Sequence, residues 1–112
     1  MTDGLTFGGA VAAARKAQGL SQKELAARVI KEDGKPITPQ YLNDIEHNRR
    51  SPTGDHMVMA LARALQEKPD FLFLLAGKVH PDDVRSVAEA GPDRARKAVL
   101  AFRSTLRGDR PR

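Results

Sequence analysis

At 112 residues, with a net charge of +5 and no cysteine, the chain is long enough to bury one self-sufficient core and has no thiol for a disulfide or zinc staple. Residues 71–76 form the longest apolar run, far too short to span a membrane, and the start has neither a basic segment nor an apolar leader. A cytoplasmic protein without cofactor is therefore expected, and the low aromatic content and abundant alanine and leucine point to an all-α fold.

The charge is uneven. Residues 1–91 carry twelve basic and twelve acidic side chains, whereas residues 92–112 carry seven basic side chains against Asp93 and Asp109. The whole excess lies in the last fifth of the chain. Such a tail suits nucleic acid or an acidic partner, or is simply a solvated helix face.

In chain order, residues 1–5 read as a loose end. A first helix is predicted over residues 6–18: Phe7, Val11 and Ala14 recur at helical spacing and Gly19 stops it. Arg15 and Lys16 read as its solvated face. A second helix begins after Ser21, turns Leu25, Ala26 and Val29 inward, and continues to about Lys31 or Glu32 before Gly34 ends it. Thr38 caps a third helix over residues 39–47, with Pro39 at the first position, where its missing N–H costs nothing. A fourth starts between Thr53 and Asp55 and runs to Leu65 or Gln66, burying Met57, Leu61, Ala64 and Leu65. A fifth runs from Pro69 to Gly77, with Phe71, Leu72, Leu74 and Leu75 mostly buried.

Beyond it, residues 78–112 read as a separate basic, helical extension of a 6–77 domain. His80-Pro81-Asp82-Asp83 starts one helix with a thin stripe of Val84, Val87 and Ala88. Gly91-Pro92 breaks the chain, and a last helix follows to about Arg107. Its Ala95, Val99, Phe102 and Leu106 step by four, three and four. Val99, Phe102 and Leu106 are the expected dimer contact; packing within the chain or on another protein would use the same stripe.

The third helix carries the chemistry. Leu42 and Ile45 turn inward and leave Gln40, Tyr41, Asn43, Asp44 and His47 outside. That short polar face is rich in groups able to form paired hydrogen bonds with base edges in a major groove. Arg49 and Arg50 follow where a phosphate can lie. Tyr41 suits a phosphate, a thymine methyl or packing on the second helix. Asp44 can accept from cytosine N4 or balance Arg49 or Arg50. The three histidines lack metal-site spacing, no nucleophile–base pair or phosphate loop is present, and an enzyme is not expected.

These residues resemble the lambda-repressor-like helix-turn-helix family, the XRE-type regulators of bacteria and phages. The shared pattern comprises Gly19-Leu20-Ser21-Gln22, Leu25-Ala26, Thr38, Tyr41-Leu42, Ile45-Glu46, Arg49-Arg50, Ser51-Pro52 and Ala62-Arg63-Ala64-Leu65, over about residues 7–77. The resemblance implies a five-helix domain whose third helix enters the major groove. It implies base reading by Gln40, Asn43 and Asp44, with Tyr41 beside them. Backbone contacts would come from Gln22, Arg49 and Arg50, and Glu46 would tie the third helix to the fold; Lys23 and Thr38 are expected to add to the backbone contacts. The chain departs from the pattern between the second and third helices, where about six extra residues, 30–35, either lengthen the second helix or form a small wing. Lys31 and Lys35 would then meet the DNA backbone. The expected function is a transcription regulator, a repressor reading a palindromic operator in double-stranded DNA as a homodimer. The alternative is an antitoxin or protease-regulated protein whose main partner is another protein.

Overall fold

The computed structural model describes residues 5–52 and 54–108. Thr53, the start of the chain, and Asp109, Arg110 and Arg112 in the basic tail lie outside the described residues. The architecture is all-helical, with α1 Phe7–Ala17, α2 Gln22–Arg28, α3 Pro39–Glu46, α4 Asp55–Leu65, α5 Pro69–Leu75, α6 Pro81–Ala90 and α7 Pro92–Arg107. None of these helices is long and apolar enough to cross a membrane. The chain divides into two units, 1–78 and 79–112.

In the first unit, local chemistry sets the starts of α1, α2 and α3. The Thr6 hydroxyl accepts from Gly9 N at 3.0 Å to start α1, and Gly19, at φ +68°, closes it. Ser21 and Glu24 form a reciprocal capping box at α2: the hydroxyl accepts from Glu24 N at 3.0 Å and the carboxylate from Ser21 N at 2.9 Å. At α3 the Thr38 hydroxyl accepts from Tyr41 N at 3.1 Å, with Pro39 in the first turn. Between them the helices bury Phe7 and Val11 of α1, Leu25 and Ala26 of α2, Leu42 and Ile45 of α3, six residues of α4, and Leu72 and Phe73 of α5.

Two expectations are corrected. The second helix stops at Arg28, not near Lys31, because Val29 is already extended (φ −95°, ψ 106°). Residues 29–37 form a small hairpin in which Ile30 bridges Pro36 antiparallel. Ile37 N donates to Val29 O at 3.0 Å, Lys31 N to Lys35 O at 2.8 Å, and Gly34 N to Lys31 O at 2.9 Å. The wing arises because Val29-Ile30 is a β-branched pair and Asp33-Gly34 is a hairpin turn signal, with Gly34 at φ +84°. Burial of Val29 and Ile37 roots both strands in the core. The fifth helix also turns differently. Phe71 and Leu74 are 46% and 44% exposed, and Phe73, not expected inside, is completely buried.

One close approach fixes α1 against α3. A Cβ on Gly8 would collide with the carbonyl oxygens of Ile45 and Glu46 and with Asn48 Oδ1. The absent side chain lets Gly8 N donate to Asn48 Oδ1 at 2.9 Å, while Asn48 Nδ2 donates to Thr6 Oγ1 at 3.0 Å. Asn48 itself sits at φ +59°, a left-handed position that asparagine tolerates. The start of α1 and the end of α3 are thus clamped by one amide.

The second unit is α6 and α7 joined through Gly91 alone, which ends one helix and begins the other at φ +87°. His80 Nδ1 accepts from Asp82 N at 3.0 Å at the start of α6. None of its described residues is buried.

Candidate nucleic-acid interface

Helices α2 and α3 pack on one another across the hairpin, so the start of α2 lies beside the outward face of α3. Gln22, the first residue of α2, makes the join. Its Nε2 donates to Asn43 Oδ1 at 3.1 Å and to Glu46 Oε1 at 2.9 Å. Glu46 in turn accepts from Arg15 of α1, Nε to Oε2 at 2.7 Å and Nη2 to Oε1 at 2.9 Å. Arg15 Nη1 also donates to Leu20 O at 2.9 Å. One polar chain therefore runs through α1, α2 and α3.

The Glu46 side chain is 3% exposed and the Arg15 side chain 11%. Burial pushes the Glu46 carboxyl up, but hydrogen bonds from Arg15 and Gln22 and the charge of Arg15 outweigh it and hold the group below the usual carboxylate range. Arg15 is correspondingly raised, chiefly by its hydrogen bond to Glu46. The expected solvated Arg15 is thus corrected: it lies four residues after the buried Val11, on the margin of the inner face. That spacing was the available signal.

On α3, Gln40 is exposed and donates through Nε2 to Asp44 Oδ1 at 3.1 Å. The same oxygen accepts from Arg49, Nε at 3.3 Å and Nη2 at 3.2 Å. Asn43 and Asp44 are half-buried, Asn43 under Gln22 and Asp44 under Arg49 and Gln40. Tyr41 is half-buried against the core with the Arg50 guanidinium 5.1 Å from its ring centroid. Its hydroxyl is buried without a hydrogen-bond partner among the described residues. Lys23, Lys35 and Thr38 are exposed, and Lys31 pairs with Asp33 at 3.7 Å on the hairpin. His56 of α4 contacts Ile30 O through Nε2 at 3.2 Å and ties the hairpin to α4.

Gln40, Tyr41, Asn43, Asp44, Gln22, Arg49 and Arg50 are thereby brought to one neighbourhood of α2, α3 and the following loop. Val99, Phe102 and Leu106 belong to the second unit and stand exposed along α7. Among the described residues there is no acidic or histidine cluster that could hold a metal ion. Such a surface can exchange hydrogen bonds with base edges and phosphates. No curated protein and no solved structure matches the chain. A helix-turn-helix family profile matches residues 11–72, more than half of it, spanning α2, α3 and the polar face between them. The chain belongs to the XRE-type, lambda-repressor-like helix-turn-helix family of DNA-binding regulators.

Proposed function

We propose that the protein is a sequence-specific transcription regulator, acting as a repressor, and that two copies read a palindromic DNA operator with α3 in the major groove. The carrying observation is the outward face of α3, where Gln40, Asn43 and Asp44 stand together and are oriented by Gln22 and Arg49. Amide side chains suit adenine N6/N7 and a carboxylate suits cytosine N4. In this reading Gln22, Lys23, Thr38, Arg49 and Arg50 grip phosphate and set register. Tyr41 stands beside them beneath Arg50, and Lys35 reaches the backbone from the hairpin. One small domain makes few base contacts, so two half-sites supply useful affinity.

Selection of bound duplexes from a random pool tests the reading. A single enriched, two-fold symmetric sequence is expected. Gln40→Ala and Asn43→Ala should each cost about 1–3 kcal/mol on that sequence and little on random DNA. Arg49→Ala should weaken both and reduce the salt slope by about one. An unselective pool, or no loss from Gln40→Ala and Asn43→Ala, would show that α3 does not read sequence.

A further inference from the structure

We infer that α6 and α7 form a surface for a second copy of this chain, the acidic α6 of each copy lying against the basic α7 of the other. The surface rests on the two-copy reading above and assigns it a place.

Three observations carry it. First, the unit leaves its apolar stripes bare. Val84, Val87, Val99, Phe102 and Leu106 are all between 46% and 67% exposed. A folded unit below roughly 40 residues ordinarily relies on disulfides, a metal or oligomerisation. Residues 79–112 contain no cysteine, and the described residues offer no metal cluster.

Second, the two helices touch yet leave their stripes uncovered along their lengths. Gly91 is the whole link. Antiparallel helices that double back are joined by about 2–5 residues. With 16 residues against 10, α7 also outreaches α6 by about 9 Å at 1.5 Å per residue. A one-residue link between helices of unequal length leaves room on both stripes for a second chain.

Third, the charges of the two helices are opposite. Helix α6 carries Asp82, Asp83 and Glu89 against Arg85; α7 carries Arg94, Arg96, Lys97, Arg103 and Arg107 against Asp93. In a two-fold pair each α6 meets the other chain's α7, so the same surface complements itself. The exposed apolar side chains offer the apolar centre that a standard interface of roughly 1,600 Å² in total is built around.

Charge-reversed chains provide the test. One variant carries Asp83→Lys and Glu89→Lys, the other Arg94→Glu and Arg103→Glu, and circular dichroism confirms that the helical first unit of each is folded. Sedimentation should give a dimer for the unaltered chain and a dimer dissociation constant raised at least about tenfold for each variant alone. Mixing the two variants should restore a 1:1 dimer. A monomeric unaltered chain overturns both the surface and the two-copy reading. Variants that dimerise unaided, or that fail to recombine while the unaltered chain dimerises, overturn the surface alone. Failure of DNA reading is separate: it appears as a dimer that selects no sequence.

Discussion

Removing Arg15 should destabilise the first unit more than any surface charge change, because its partner is left behind in the dark. Glu46 receives two of its three side-chain hydrogen bonds from Arg15, at 2.7 and 2.9 Å, and only one from Gln22. Each charge-assisted bond is worth about 1.5–3 kcal/mol, and breaking one partner of a buried pair costs about 3–5 kcal/mol. Proton uptake by the stranded carboxyl limits the loss, so about 3–4 kcal/mol is expected for Arg15→Met at pH 7. A unit of this size has roughly 4–12 kcal/mol of stability and shifts about 4–8 °C per kcal/mol, which places the fall in Tm above about 12 °C. Replacing both residues, Arg15→Met with Glu46→Leu, should recover at least about 2 kcal/mol relative to the sum of the single changes.

The pH dependence follows from the direction of the shift. In the natural chain Glu46 is depressed, so its contribution is present above the ordinary carboxylate range and is lost as pH falls through the lower folded value. In Arg15→Met burial acts without its counterweight, so the carboxyl rises and the deficit shrinks as acid protonates it. Urea denaturation at pH 7 and near pH 4.5 measures both effects. Strictly additive single changes, single losses below about 1 kcal/mol, or a deficit that grows with acid would refute the buried-pair account.

Gly8→Ala should cost at least about 3 kcal/mol by forcing α1 off α3, read as a drop in the urea midpoint, since the new methyl meets backbone oxygens that cannot swing aside. Neutralising Lys31 and Lys35 together should lower DNA affinity at low salt without changing the selected sequence, as fluorescence anisotropy on selected and shuffled duplexes will show. Residues 1–78 alone should fold cooperatively, having their own core, yet bind the selected palindrome at least about tenfold more weakly than the full chain.

Local chemistry made the helix starts legible. Ser21 with Glu24, Thr38 with Pro39, and Gly19 act within a turn or two, so a linear reading finds them. Long-range pairing was not legible. Arg15 and Glu46 are 31 positions apart and Gln22 and Asn43 are 21 apart; the spacing from Val11 puts Arg15 at the margin of the inner face, but nothing local names its partner. The fifth helix failed for another reason. Its run Phe71-Leu72-Phe73-Leu74-Leu75 is apolar at every step, so the inward direction is decided by α4 and α1 and not by pattern. At the end of α2 both readings stay open in the sequence, a longer helix or a small wing; Asp33-Gly34 after two β-branched residues is the local hairpin signal that decides for the wing.

Asp44 and Tyr41 each hold one of the two loop arginines, Asp44 by the ion pair to Arg49 and Tyr41 by its ring beneath Arg50. On the proposed reading, the residues that choose the bases also aim the residues that grip the strand. A change at Asp44 would then alter the preferred base and, in the same stroke, release an anchor. New operator preferences would seldom evolve by exchanging one reading residue at a time; they would require paired replacements across α3 and its loop. Transplanting Gln40, Asn43 and Asp44 onto a related scaffold should likewise transfer little specificity unless Tyr41, Arg49 and Arg50 travel with them.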